Sequence, residues 1–390
     1  FYKEGYGVLK LSMDCLKAQN FPTDQMTIVL ATEFKHPPGY EIARKLKAEY
    51  EEYFADIWIT QHKLVEGETA GKHSNMAHAS KEALKKIREL GWDEKYITWT
   101  DMDSDSHFNR NYFSAMTYHF VTDPNRYINI YSAPMQYTAN YDRLYFYGRA
   151  NAVSTSFAGI ANASREHHHI PISTYTASLE LQKDIGFWDL DVIPEDAHNF
   201  FKALFLKGDE MRAVTIYLPT LADTAEGLTH KDAFINQYEQ EKRWAYGASH
   251  HFKLFKMLKE RFTYYKTLRL FNYLHFHYTW SWLGFILFFG SSMALMVNQD
   301  FSYTILGSNM SRISSRLFTS IIVLFVISIL MLLSLIANKG KKSTLRKLIE
   351  LVELMLLPVV RIFTSFAGLD AHTRLMLAKY MEYRVTEKIS

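Results

Sequence analysis

A chain of 390 residues is long enough for one large core plus an appendage, because single cores stop growing at about 250 to 300 residues. A formal charge of +3, not gathered into one basic stripe, excludes a nucleic-acid partner. The only cysteine, Cys15, excludes an internal disulfide and fits a reducing compartment.

The predicted elements alternate. A helical period covers residues 6–18, and residues 26–31 form a β-branched run that reads as a buried strand. A helix over 40–54, a strand over 56–60, a helix over 74–90 and a strand over 96–100 follow. Such alternation predicts a doubly wound α/β sheet, in which ligands bind beyond the carboxyl ends of the strands. Between the second strand and its helix lies Gly71-Lys72-His73-Ser74-Asn75, a cation at a helix start. Beyond the third strand come Asp101, Asp103 and Asp105 at alternate positions. Two carboxylates about 5 Å apart repel by about 3 kcal/mol at an effective dielectric near 20. Three together call for a cation, and hard oxygen ligands select Mg or Mn. The bland alternative is a solvated acidic turn capping the next helix.

His167-His168-His169 reads as three surface residues rather than a metal site, since adjacent side chains in a loop point apart. Glu195-Asp196 opens a helical run over 197–206, where a carboxylate could equally be a cap. Gln240, Arg243 and Trp244 bring an amide, a guanidinium suited to phosphate and an indole suited to a sugar face into five residues. An ordinary amphipathic helix could carry the same three.

Residues 278–297 and 317–337 carry no charge and each has the length a helix needs to cross a bilayer. Lys253, Lys256, Lys259, Arg261, Lys266 and Arg269 precede the first, and Lys339, Lys341, Lys342, Arg346 and Lys347 follow the second. The positive-inside rule then puts both flanks in the cytoplasm and the loop over 298–316 outside. A third apolar region, 348–367, contains Glu350, Glu353, Arg361 and Pro358 and suits an interfacial or packed helix better than a span. The chain opens on Phe1-Tyr2-Lys3-Glu4 as though cut at a strand end.

In order and spacing, these clusters resemble the membrane-integrated family 2 glycosyltransferases, the group of the cellulose and hyaluronan synthases. That resemblance implies an α/β domain of the GT-A fold followed by transmembrane and interfacial helices. It divides the chain into a cytoplasmic catalytic domain over 1–250, an amphipathic connector over 251–277, two spans over 278–337, and interfacial helices with a tail over 338–390. It implies an inverting enzyme of an inner or plasma membrane that moves a sugar from a UDP-linked or other nucleotide sugar to a saccharide or lipid-linked acceptor. Processive synthesis and single transfer both remain open. An idle nucleotide-sugar-binding subunit of a polysaccharide assembly is the alternative from another class.

By the same resemblance, Asp103 and Asp105 hold the metal, Asp196 with Glu195 forms the catalytic acidic pair, and Gln240, Arg243 and Trp244 bind substrate. Tyr2 and Glu4 match a Tyr-Asn-Glu element, and Lys72 matches a Gly-Lys segment near the diphosphate. Glu33 stands where the family has a pair of aspartates near the nucleotide base. The closing Val385-Thr386-Glu387-Lys388 resembles a gate segment of relatives.

Overall fold

The computed structural model describes residues 1–336, 344–355, 357–379 and 381. No strand forms over residues 1–5. The chain enters α1 (Tyr6–Lys17), and β1 (Thr27–Glu33) then pairs in parallel with β2 (Asp56–His62) around the connecting α2 (Pro37–Tyr50). α2 starts on two prolines, whose fixed φ and missing N–H suit a first turn. α3 (Lys72–Glu89) follows Gly71, where a Cβ would stand 2.7 Å from the His73 ring, so only glycine lets the chain enter the helix this closely.

Past this point the sheet is mixed, not doubly wound and parallel. β3 (Thr98–Asp101) pairs antiparallel with β6 (Tyr175–Ser178). β6 pairs antiparallel with β4 (Ile130–Ser132), which runs parallel to β7 (Ala213–Thr215). β5 (Met135–Gln136) and β8 (Thr220–Leu221) make a separate small parallel pair. Helices α4 (Tyr112–Thr122), α5 (Phe146–Ala163), α6 (Leu179–Asp184) and α7 (Glu195–Lys207) are set among these strands. One apolar core joins β1 and β2 to α1, α2 and α4 through Leu30, Leu46, Ile57 and Tyr112. A second joins the mixed sheet to α7 through Ile130, Ala177, Phe200 and Phe201. Asp101 closes β3, and Glu195 and Asp196 open α7.

α8 (His230–Tyr246) carries the Gln240–Trp244 segment and leads into α9 (His251–Glu260) and α10 (Tyr264–Val297). At 34 residues α10 is about 51 Å long, and it begins well before the expected span. Three of the cations expected merely to flank that span are instead built into the packing. Lys253 pairs with Asp189 at 2.6 Å, Lys266 donates to the Phe205 carbonyl at 3.3 Å, and Arg269 donates to the His169 carbonyl at 2.7 Å. The connection after α10 is also shorter than expected, because α11 (Ile305–Ile336) starts one residue after the short turn Gln299–Tyr303.

Among the described residues no helix is long and apolar enough to cross a membrane. Ala337, the cations Lys339, Lys341 and Lys342, and residues 385–388 lie outside the described residues. The third apolar region divides into α12 (Thr344–Met355) and α13 (Leu357–Met376), with Pro358 in the first turn of the latter. Its acidic residues have partners. Glu353 makes a bidentate pair with the buried Arg149 of α5, at 2.5 and 2.9 Å, and Glu350 accepts from Arg346 at 3.0 Å.

Candidate active site

Asp101 ends β3 and Asp103 lies two residues beyond, while Glu195 and Asp196 occupy the first turn of α7 and Lys72 opens α3. These three elements aim four carboxylates at one ammonium. Lys72 Nζ lies 2.8 Å from Asp103 Oδ1, 3.3 Å from Asp101 Oδ1, 3.5 Å from Glu195 Oε1 and 3.9 Å from Asp196 Oδ1. Burial opposes the charge on Lys72, yet the four carboxylates outweigh it and raise its pKa well above that of a free lysine. A single cation does not balance the acidic groups. Burial and the neighbouring carboxylates hold Asp101 well above the usual carboxylate range, and burial with Asp196 beside it pushes Glu195 up to about 8. Asp196 is raised as well, chiefly by burial, against the pull of Lys72.

Two buried oxygens of this cluster, Asp101 Oδ2 and Asp196 Oδ1, find no donor outside the cluster, and the two carboxyls bond only each other there. Among the described residues no group of three or more His, Cys, Asp or Glu is arranged to hold a metal ion by itself. The donor set nevertheless suits a hard divalent cation that completes its coordination with phosphate and water: excess buried negative charge, hard oxygen donors and unused lone pairs. Asp103 faces Lys72, whereas Asp105 is fully buried and accepts the Asp223 amide at 3.0 Å. Both line the same cleft.

That cleft has a volume of about 2400 Å3, against roughly 300–1,000 Å3 for a site that holds one small ligand. It therefore has room for a donor and an acceptor. Tyr2, Glu4, Glu33 and Lys72 line one part of it, and Gln240, Arg243 and Trp244 another, with the acidic cluster in the same cleft. On α8 these last three fall at i, i+3 and i+4, hence on one face. Gln240 is buried with its Oε1 unpartnered, and Trp244 packs against Tyr137 with ring centroids 5.9 Å apart. Tyr137 is itself close to the acidic groups: burial, then Asp103, Asp105 and Asp196, raise its pKa. Further down, the cleft is lined by His275, Phe276, Trp280 and Gly284 of α10 and by Ile322 of α11. Glu4 is turned onto its own backbone, accepting from the amides of Tyr2 at 2.7 Å and Lys3 at 3.1 Å.

Several partners of the expected site residues escape a reading of the sequence, among them His62 and Glu68 beside Glu33. Glu33, at the end of β1, accepts from His62 Nδ1 at 3.2 Å, and His62 Nε2 meets Glu68 at 3.0 Å, a carboxylate–imidazole–carboxylate chain. Only the pairing of β1 with β2 brings its first two members together. Ser173 contacts Asp103, Asp196 and Lys72 together. Of the three histidines taken for surface residues, His167 and His168 are exposed. His169 is buried instead. Its Nε2 lies 2.7 Å from Ser132 Oγ, and burial lowers its pKa to about 4.

A second buried titratable cluster lies behind α7 and α8. His198, His250, His251, His277 and His372 follow one another in tilted and edge-to-face contact, with centroids 5.5, 5.3, 5.0 and 5.5 Å apart. His277 and His372 both direct Nε2 at the Ala245 carbonyl, at 3.2 and 3.1 Å, and Trp282 donates to His372 Nδ1 at 2.5 Å. Burial, with neighbouring imidazoles adding to it, keeps them neutral: His251 falls to about 4, His277 to about 3, and His250 lies well below an ordinary histidine.

Comparison with known proteins gives the chemistry a family. No curated protein matches the sequence significantly. Among solved structures, the mannosyltransferase PcManGT from Pyrobaculum calidifontis, in complex with GDP-Man and Mn2+, is similar at 14% identity with a TM-score of 0.49. That similarity spans 97% of this chain and 86% of the other. The description of glycosyl transferase family group 2 matches residues 100–337. This is more than half of the chain, and it takes in the aspartates after β3, Glu195-Asp196 and the Gln240–Trp244 segment, so the chain belongs to glycosyl transferase family group 2 and is a glycosyltransferase.

Proposed function

We propose that this glycosyltransferase has a GT-A type site and transfers a sugar, with inversion, from a nucleotide-sugar donor to a saccharide or lipid-linked acceptor. The observation that carries the reading is Asp196: a buried carboxylate of raised pKa, held by the Ser173 amide, in a cleft that also holds the acidic cluster, Arg243 and Trp244. A base poised nearer neutrality is the better proton acceptor. Asp196 takes the proton of the acceptor hydroxyl as that oxygen bonds to the anomeric carbon, and the bond from that carbon to the diphosphate oxygen breaks. The diphosphate leaves with the electron pair, so no covalent enzyme intermediate is required.

Mg2+ or Mn2+ held by Asp103 and Asp105 would supply positive charge to the leaving diphosphate. Lys72 and Arg243 add charge from the protein itself, and Trp244 offers an aromatic face to the acceptor sugar. Glu33 and its His62 partner are the last residues of β1 and β2, at the strand ends where the nucleotide base is expected.

We place the catalytic part on the cytoplasmic side of an inner or plasma membrane, with α10 and α11 entering the bilayer. The support is the absence of charge over 278–297 and 317–337, together with the exposure of Met293, Met296, Val297, Ile322 and Val323 on these helices. Calorimetry of UDP and GDP binding with Mn2+ and with excess EDTA tests the core of the reading. Binding is expected with the metal and lost with the chelator; equal affinity in both would sink it.

A further inference from the structure

The antiparallel ladder of β3 and β6 ends where Asp101 faces Tyr175, and two residues beyond that pair stand Asp103 on one side and Ser173 on the other, joined by a side-chain hydrogen bond. There the chain makes an unusual turn. Ser173 has φ of 71°, and the Thr174 amide donates to the Ile172 carbonyl at 2.8 Å, closing a three-residue turn. Such γ-turns are rare and strained in this hand, and a non-glycine residue in this region persists only where its surroundings over-determine it.

At Ser173 the surroundings are the acidic cluster itself. Its amide donates to Asp196 Oδ2 at 2.7 Å, its carbonyl accepts from Lys72 Nζ at 3.3 Å, and its hydroxyl donates to Asp103 Oδ2. Glycine would make the same turn with less strain and keep the first two contacts. Only the third contact requires serine, and it is therefore what offsets the strain.

We propose that Ser173 is a positioning residue that fixes the metal-binding carboxylate Asp103 and the base Asp196 relative to each other through one strained turn. This rests on the reading of Asp103 and Asp196 given above. The hydroxyl holds Asp103 Oδ2 while Oδ1 faces the Lys72 ammonium at 2.8 Å, and the amide holds Asp196 Oδ2, so one turn sets the angle between the two carboxylates. Groups that orient a metal's ligands are typically worth 10–100-fold in metal affinity.

Ser173→Gly and Ser173→Ala separate this role from a structural one. Mn2+ affinity would be read by electron paramagnetic resonance with saturating UDP and, separately, GDP, alongside turnover and the melting temperature in EDTA. Both variants should bind Mn2+ about 10–100-fold more weakly, with turnover partly restored by excess Mn2+. Ser173→Gly should melt no lower than the parent, because relief of the turn compensates for the lost hydrogen bond. Parent-like Mn2+ affinity in Ser173→Gly overturns the proposal, as does a loss of melting temperature in both variants without loss of affinity. A parent protein that binds no Mn2+ with either nucleotide overturns this inference and the reading of the site together.

Discussion

Two clusters of buried titratable groups lie against α7, and they are built on opposite electrostatic plans. In front, four carboxylates share one ammonium, so that burial drives Asp101, Glu195 and Asp196 toward protonation. Behind, five imidazoles pack with their charge removed, and they make specific bonds such as those to the Ala245 carbonyl. Concentrated buried charge that the fold does not itself neutralise is a place for a ligand. Buried groups that settle their charge by staying neutral act instead as packing with directional hydrogen bonds. On this comparison, substitutions in front should change chemistry and those behind should change stability.

The largest effect is expected at Asp196. Asp196→Asn keeps an oxygen for the Ser173 amide and removes the proton acceptor, so turnover should fall by about two to four orders of magnitude while donor affinity stays within a few-fold. Near-normal turnover in a folded, donor-binding variant leaves only a capping role, which asparagine fills as well as aspartate. Asp105→Asn should instead weaken Mn2+ and donor together, by roughly 10–100-fold if Asp105 is a metal ligand. Calorimetry that shows one changing without the other breaks that assignment.

Behind α7 the readout is stability against pH. The folded pKa of His277 is about 3, below the roughly 6.5 of an unfolded histidine. As pH falls below 6.5 the unfolded chain takes up a proton that the folded chain refuses. Stability contributed by the neutral imidazole is therefore present above pH 6.5 and lost on acidification, by up to about 1.4 kcal/mol per pH unit. His277→Gln should make the loss of stability between pH 6.5 and 4 shallower by about that amount in denaturant titrations. An unchanged slope removes His277 from the account.

The smallest effect, of opposite sign, belongs to Glu195. Its folded pKa of about 8 lies above that of an unfolded carboxyl, so the folded chain holds the proton longer and stability declines as pH rises from about 4.5 to 8. Metal-free Glu195→Gln should melt a few degrees above the parent at pH 8 and match it at pH 4.5. Added Mn2+ should narrow the difference at pH 8, and a parent that melts higher than the variant at pH 8 would contradict the reading.

What the sequence reveals follows from how locally each feature is specified. β1, β2 and the helices around them are long enough for their periods to show, and the aspartates after β3 follow a strand whose end can be read from Thr98 to Asp101. Gln240, Arg243 and Trp244 are legible because one helical face needs only that spacing. β4, β5, β7 and β8 have two or three residues each, too few for an alternating pattern. Without them the antiparallel course of β6 is invisible, and with it the place of Ser173 opposite Asp103. His198, His250, His277 and His372 become neighbours only when α7, the turn Gly247–His250 after α8, α10 and α13 pack. The start of α10 was obscured because Lys266 and Arg269 look solvated in sequence, whereas both are buried against the catalytic part.

The shared carbonyl of Ala245 bears on how this protein can be divided. It belongs to the residue after Trp244, in the last turn of α8, where a helix lacks enough amides of its own to occupy its carbonyls. The donors come from His277 and His372, which lie far along the chain in α10 and α13. A protein cut after residue 250 would keep every carboxylate of the cleft and the whole Gln240–Trp244 segment, yet lose the partners that hold the end of that segment in place. Exchange of the helical part between relatives is therefore expected to succeed only where both imidazoles travel with it.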